Sequence, residues 1–219
     1  MVNDPALDIV AASALPASPD EVPFWSLIRG RRSIRRYADR PIARATLEAL
    51  LEAARWAPSA HNRQPWRFCV VTDQATKLEL SRRMTERWRA DLLRDGASPD
   101  FAVQRTAVSH ARITGAGALI LTALSMDDMD DYPDARRAEA ECTMAVQSVA
   151  LACQNLLLAA YHYGLGACWM CAPLFAPDLV RDVLDLPGDW QPQALITLGY
   201  PAEEKVKDRA AMATRVIWR

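Results

Sequence analysis

Met144-Ala145-Val146-Gln147-Ser148-Val149-Ala150-Leu151-Ala152-Cys153-Gln154-Asn155-Leu156-Leu157-Leu158-Ala159-Ala160-Tyr161 is the most apolar run of the chain, set in a helical pattern from about Arg137 to Tyr163. Val146, Val149, Leu151, Leu156, Leu157 and Leu158 cover the circumference of that helix. A helix apolar on all sides is buried, in a core or against another chain. Gln147, Ser148, Gln154 and Asn155 interrupt the run, leaving it short of the roughly 20 apolar residues of a membrane span. Gly164 ends it as a C-terminal cap.

Working outward, Gly117 to Leu124 reads as a buried strand, followed by an acidic loop from Asp127 to Asp134. Gln74 to Leu93 is a polar-faced helix, after which Gly96 and Pro99 break the pattern. Phe68 to Val71 is a second buried strand. Before it, Ala43 to Trp56 is an amphipathic helix with Leu47, Leu50, Leu51 and Ala54 at i, i+3, i+4 and i+7. It stops ahead of Pro58, which disfavours helical backbone at Ala57. On the other side lie a short strand from Ala167 to Met170, a helix from Pro177 to Leu184 and a strand from Ala194 to Leu198. Val216-Ile217-Trp218 offers one more strand. Phe24 to Arg29 is a short helix, and residues 1–20 read as a mobile N-terminal arm preceding one domain over 21–219. Long helices outnumber strands and do not alternate with them regularly. That pattern predicts an α+β fold rather than a doubly wound sheet.

The chain has 219 residues, 51% hydrophobic and 24% charged, with 26 Lys and Arg against 27 Asp and Glu. A net charge of -1 gives no global pull towards nucleic acid or anionic membrane, so an anion site must be local. Five cysteines in apolar contexts are no disulfide framework and suit a reducing compartment. The N-terminus carries Asp4 and Asp8 and no basic region before an apolar one, so the expected location is the cytoplasm.

Arg31-Arg32-Ser33-Ile34-Arg35-Arg36-Tyr37 packs four arginines and a hydroxyl into six residues. A run of arginines is often only a solvated face. Following a helix, however, it can join backbone amides in a phosphate clamp, because guanidinium forks match phosphate oxygens. Pro58-Ser59-Ala60-His61-Asn62-Arg63-Gln64-Pro65-Trp66 places two carboxamides in a proline-bounded turn. Asn62 and Gln64 are either plain turn formers or readers of a flat heterocycle, whose donors and acceptors a carboxamide can match. At i, i+2 in extended backbone they would point to the same side.

Cys168-Trp169-Met170-Cys171 has no second pair or nearby histidine, so zinc is disfavoured and buried apolar cysteines are expected. No metal site is expected. Gly164-Leu165-Gly166 lacks a third glycine and follows a helix, which suits a cap and tight turn rather than a dinucleotide cradle. The chain has no HExxH, GxSxG or GxxxxGK[ST]. Lys205, Lys207 and Arg209 are either a surface tail or the closing side of a phosphate site.

In order, Arg31-Arg32-Ser33-Ile34-Arg35, Pro58 to Trp66, Gly164-Leu165-Gly166 and Leu198-Gly199-Tyr200-Pro201 resemble the FMN-dependent nitroreductase family, from about Trp25 to the C-terminus. The resemblance implies a central, mostly antiparallel sheet flanked by helices, in a domain-swapped homodimer with two FMN sites at the subunit interface. It implies that Arg31, Arg32, Ser33, Ile34 and Arg35 hold the phosphate and ribityl chain, with Ser59, Asn62 and Gln64 beside the ring. It further implies that the backbone at Met170 and Cys171 approaches the isoalloxazine edge, and that Lys207 or Arg209 closes on the phosphate. Hydride would pass through flavin N5 in a ping-pong cycle, fed by NAD(P)H, with no side-chain acid or base named. A non-catalytic flavin-binding protein carries the same motifs.

A narrower likeness lies in Met84 to Leu92, Tyr132 to Arg136, Gly164 to Trp169, Phe175 to Asp182 and Val216 to Trp218. These segments resemble the C-terminal reductase domain of the bifunctional enzyme of deazaflavin coenzyme F-420 biosynthesis. The implied substrate is dehydro-F-420-0, reduced at its C=C, with Asp91 and Trp88 contacting the deazaflavin. A general NAD(P)H-dependent nitro- or quinone reductase is the alternative.

Overall fold

The computed structural model describes residues 23–219. The N-terminal arm expected over residues 1–20 lies outside them. In chain order the elements are α1 (Pro23–Gly30), α2 (Arg44–Arg55), β1 (Trp66–Val71), α3 (Gln74–Arg94), α4 (Pro99–Thr114), β2 (Ala118–Leu124), α5 (Ala135–His162), β3 (Gly166–Met170), α6 (Pro177–Leu184) and β4 (Gln191–Gly199). Short 3₁₀ turns occupy Ala60–Asn62 and Ala172–Phe175. The strands form one antiparallel sheet in the order β1-β2-β4-β3. This is the α+β architecture expected from the order of the elements.

β2 is buried at every position, because helices cover both faces of the sheet. Alternation along it divides the core. Ile120 and Leu124 meet Leu50 of α2 and Val149, Cys153 and Leu156 of α5. Leu119 and Leu121 face Leu80 of α3, Ile113 of α4 and Val180 of α6. The ladder between β2 and β4 slips at Thr122/Ala123, opposite Pro192, which has no N–H to donate.

α5 is the spine of the first layer. Asp134 caps its start by accepting from the Arg137 N–H at 3.0 Å. At its end Gly164 takes a left-handed conformation (φ 72°), while the Leu165 N–H donates to the Ala160 carbonyl at 2.8 Å and the Gly164 N–H to that of Tyr161 at 3.0 Å. This double closure is a Schellman cap, open to glycine because it lacks a Cβ. By length and composition α5 is apolar enough to cross a membrane, contrary to the expectation above. Its inner face nevertheless packs in the core, while Val146 (39% exposed) and Leu151 (45% exposed) lie on the outer side. The expectation of burial all round therefore holds for one face only within a single chain.

Two other expectations are corrected and one element is added. α3 ends at Arg94, where Gly96 and Pro99 break the pattern as expected, but Ser98 then caps a new helix, α4, by accepting from the Phe101 N–H at 3.3 Å. Pro99 enters at the first helical position, where its missing N–H costs nothing. Val216-Ile217-Trp218 forms no strand in the described chain, and Trp218 is almost fully exposed. Asn62 and Gln64 are not in extended backbone: both adopt positive φ, 55° and 54°.

The segment after α1 docks along the outer edge of β3. Ser33 bridges Ala167 in parallel, and the Ile34 N–H donates to the Ala167 carbonyl at 3.0 Å. The Tyr37 hydroxyl lies 2.6 Å from the Ile34 carbonyl and 2.7 Å from Thr197 Oγ1, in surroundings that push its pKa up by burial. Gly166 and Gly199 permit this approach, since a Cβ on either would stand 2.7 Å from Ile34 or Tyr37 side-chain atoms. Replacing Gly199 with alanine should lower the unfolding free energy by about 1–3 kcal/mol, the usual cost of overpacking. Chemical denaturation of Gly199→Ala checks this; unchanged stability would mean that the edge has room to spare.

Candidate active site

Docking against β3 brings the arginines together. Arg31 and Arg32 line a cavity of about 380 Å³ with Gly164, Gly166, Lys205 and two carboxylates, Glu203 and Glu204. Arg32 Nη1 donates to the carbonyls of Arg29 and Arg31, yet its Nε is buried with no partner. Burial pushes the Arg31 guanidinium's pKa below its ordinary value, and the charges of Arg209 and Arg32 push it further. Three cations thus converge with no carboxylate bonded to the Arg31 or Arg32 side chain among the described residues. Like charges held this close repel one another, and an anion bound among them would relieve that repulsion. Arg209, one of two readings of the tail, lies within electrostatic reach of Arg31.

A second cavity of about 460 Å³ adjoins the first, sharing Glu203 and Lys205. Its lining carries four cations, Arg35, Arg36, Arg112 and Lys205, against one carboxylate, Glu203. Glu203 accepts from the Arg35 N–H at 2.6 Å and pairs with Lys205 at 3.5 Å. Burial pushes the Cys168 thiol up, while Arg35, Arg112 and Lys205 oppose that shift, so these three cations face Cys168 together.

A third cavity, about 550 Å³, shares Val108 and Arg112 with the second. It brings together Trp88, Asp91, Met170 and Cys171, which lie far apart in the sequence. Cys171 is exposed, against the expectation of a buried thiol, and the Trp169 Nε1–H donates to its Sγ at 3.2 Å. β3 ends at Met170 and the chain turns outward there, which lifts Cys171 out of the sheet. All five cysteines are free, and no metal-binding cluster occurs among the described residues.

Ser59, Asn62 and Gln64 form a separate feature. The Gln64 N–H donates to Ser59 Oγ at 3.1 Å, and Gln64 Nε2 lies 3.3 Å from Asn62 Oδ1. The carboxamides therefore do meet, but through left-handed backbone at His61, Asn62 and Gln64 rather than through extended spacing. Non-glycine residues hold that conformation at a cost of about 1–2 kcal/mol each. Flanking anchors hold it: the Ala60 N–H donates to Ser148 Oγ at 3.2 Å, Arg67 pairs with Asp128 at 2.8 Å, and Arg63 pairs with Asp130. Beneath Asp130, the fully buried Glu141 accepts its N–H at 3.2 Å.

Within one chain the structure does not bring this turn to the arginines. The turn is tied to α5 at Ser148, whereas the arginines lie by Leu157 and Tyr161. Thirteen residues of helix between Ser148 and Tyr161 amount to about 20 Å. None of the three cavities is lined by Ser59, Asn62 or Gln64.

The residues missed from sequence are Arg105, Val108, Ser109 and Arg112, which line the second and third cavities from α4. Their i, i+3, i+4, i+7 spacing marks one helix face. The Ser98-Pro99 start was the sign that could have found them.

The sequence profile of the nitroreductase family matches residues 28–200. A Thermus thermophilus protein described as NADH dehydrogenase is 31% identical, over 86% of this chain and 92% of its own length. An Archaeoglobus fulgidus protein described as NADH dehydrogenase/NAD(P)H nitroreductase is 30% identical, over 82% of this chain and 86% of its own length. The crystal structure described as a nitroreductase in complex with FMN from Desulfovibrio desulfuricans has a TM-score of 0.69 at 28% identity, covering 91% of this chain and 98% of that one. The match in sequence runs through the arginine segment, the amide turn and β3, and the fold agrees with it: the chain belongs to the nitroreductase family of oxidoreductases.

Proposed function

We propose that this nitroreductase-family enzyme is an FMN-dependent reductase that takes electrons from NAD(P)H and delivers them to the C=C of dehydro-F-420-0. The observation that carries the cofactor assignment is the arginine cluster in which the Arg31 and Arg32 side chains bond no carboxylate, above all the buried Arg32 Nε without an acceptor. A phosphate monoester supplies the negative charge and the acceptor oxygens that Arg31, Arg32 and Arg209 lack. Ser33, Ile34 and Arg35 would run along the ribityl chain, and Met170 and Cys171 would border the ring. When bound, the flavin supplies the two-electron chemistry, accepting from the nicotinamide and donating to the acceptor in separate half-reactions.

The protein's part is binding, charge and exclusion of water. Arg35, Arg112 and Lys205 supply positive potential between the clamp and the third cavity, favouring an electron-rich ring edge there. The amide turn serves a second copy of the chain. About 20 Å along α5 separates it from its own arginines, and exposed apolar Val146 and Leu151 on the same helix offer a surface for pairing. A homodimer in which each turn faces the partner's arginines is the arrangement that uses both. Asp91 and Trp88, in the cavity that also holds Met170 and Cys171, favour the deazaflavin as acceptor. The names borne by the Thermus and Archaeoglobus relatives favour the second reading, a general nitro- or quinone reductase.

Anaerobic stopped-flow mixing with NADH and NADPH, followed by dehydro-F-420-0, menadione or a nitrofuran, separates the two. Fast reoxidation by the deazaflavin precursor alone supports the first, and equal use of all acceptors supports the second. A protein that takes up no FMN ends both. Arg31→Ala should weaken FMN binding by about 1.5–3 kcal/mol, as for removal of a charged hydrogen-bond partner, read by quenching of free FMN fluorescence. Gln64→Gly should act in opposite directions on two measurements. Relief of the positive φ should raise the unfolding free energy by about 1 kcal/mol, while loss of the carboxamide should lower FMN affinity. Loss of stability, or unaltered affinity, would remove Gln64 from the site.

A further inference from the structure

The third cavity contains a charge that the assignments above leave unused. Arg105 reaches its wall from α4, one turn before Val108 and Ser109. Its guanidinium lies 5.8 Å from the Trp88 ring centroid and 6.0 Å from that of Phe101. Two aromatic rings thus border this exposed guanidinium without consuming its charge, because cation–π contact leaves the N–H forks available. The other charges near it are mostly spoken for. Arg87 pairs with Asp178 at 3.3 Å, and Asp91 pairs with Arg94 at 3.0 Å. Arg105 and Arg112 then stand against Asp95 alone among the charged groups of the lining. The remaining wall is apolar or aromatic, with Met84, Trp88, Val108, Met170 and Phe175. At about 550 Å³ the space suits a fused two- or three-ring molecule.

We infer that Arg105 determines acceptor specificity: the third cavity receives a planar aromatic acceptor and Arg105 binds an anionic substituent that it carries. The inference deepens the reductase reading and rests on it for the position of the reacting ring. It does not depend on the deazaflavin assignment, since any aromatic acceptor with a sulfonate, carboxylate or phosphodiester arm fits the same chemistry. The substituent stays attached throughout and takes no part in electron transfer.

The test uses FMN-loaded protein and a matched pair, 1,4-naphthoquinone-2-sulfonate and unsubstituted 1,4-naphthoquinone, in wild type, Arg105→Ala and Arg105→Lys. The ratio of the sulfonate's KM to the neutral quinone's KM should rise about tenfold in Arg105→Ala and recover in part in Arg105→Lys, which restores charge without the planar fork. Calorimetric titration with the non-reducible naphthalene-2-sulfonate should show the same loss of about tenfold and should weaken with added salt. An unchanged KM ratio, or equal loss for both quinones, overturns the inference while leaving the reductase reading intact. Loss of FMN from both variants would assign Arg105 to the cofactor and also overturn it. If wild type takes up no FMN, the reductase reading fails instead. Calorimetry on the same protein still decides the anion site, which fails if naphthalene-2-sulfonate binds both proteins equally.

Discussion

The geometry of this protein's cleft depends on the close contact between the Arg31–Tyr37 segment and the β3–β4 edge. Two glycines, Gly166 and Gly199, remove the side chains that would hold the segment away. Backbone hydrogen bonds from Ile34 to Ala167 and from Ala38 to Tyr200 then fix its register. That register decides which arginines crowd together and which diverge. The mutual repulsion of Arg31, Arg32 and Arg209 is an unfavourable term tolerated because the sheet beneath is fully packed. A nearly neutral chain thus concentrates positive charge along one cleft, and the rest of the chain carries the balancing negative charge.

Much of this was legible from residues. The core helices declared themselves because apolar spacing in α2 and the length of α5 admit few alternatives, and strands β1 and β2 because apolar runs sit between polar breaks, although β1, an edge strand, is buried only at its ends and not throughout as expected. The clamp was legible because arginine density is unusual in so short a stretch. What escaped is instructive. α4 was hidden because Arg105 and Arg112 share a helix face with Val108, so the face that lines a polar cleft has no clean apolar stripe. Left-handed backbone at His61, Asn62 and Gln64 was hidden because no glycine announces it; distant anchors at Ser148, Asp128 and Asp130 hold the turn instead. Sequence spacing cannot show such non-local support.

The cleft has a consistent division of labour. The end near Gly166 sets Arg31, Arg32 and Lys205 against Glu203 and Glu204, neither of which bonds an arginine side chain there. The middle, between Arg35 and Arg112, is cationic but tempered by Glu203. The far end, by Trp88 and Phe175, is aromatic, and its ion pairs are already formed. Cations outnumber carboxylates in the lining of all three cavities, which suits an anionic head, and the aromatic far end suits a flat body. α4 borders both the middle and the far end, so a shift of that single helix would alter both at once.

The docking of Arg31–Tyr37 also has a consequence for how the sheet meets solvent. β3 is a terminal strand, and a terminal strand with unpaired amides invites pairing with other chains. Here Ser33 and Ile34 cover part of that edge, so the Ala167 carbonyl is already taken and a further strand cannot pair there. The segment read as a ligand clamp is therefore also an edge guard against aggregation. Selection on binding and selection on solubility act on the same few residues, and a chain that lost this strip would expose a sticky strand along with losing its anion.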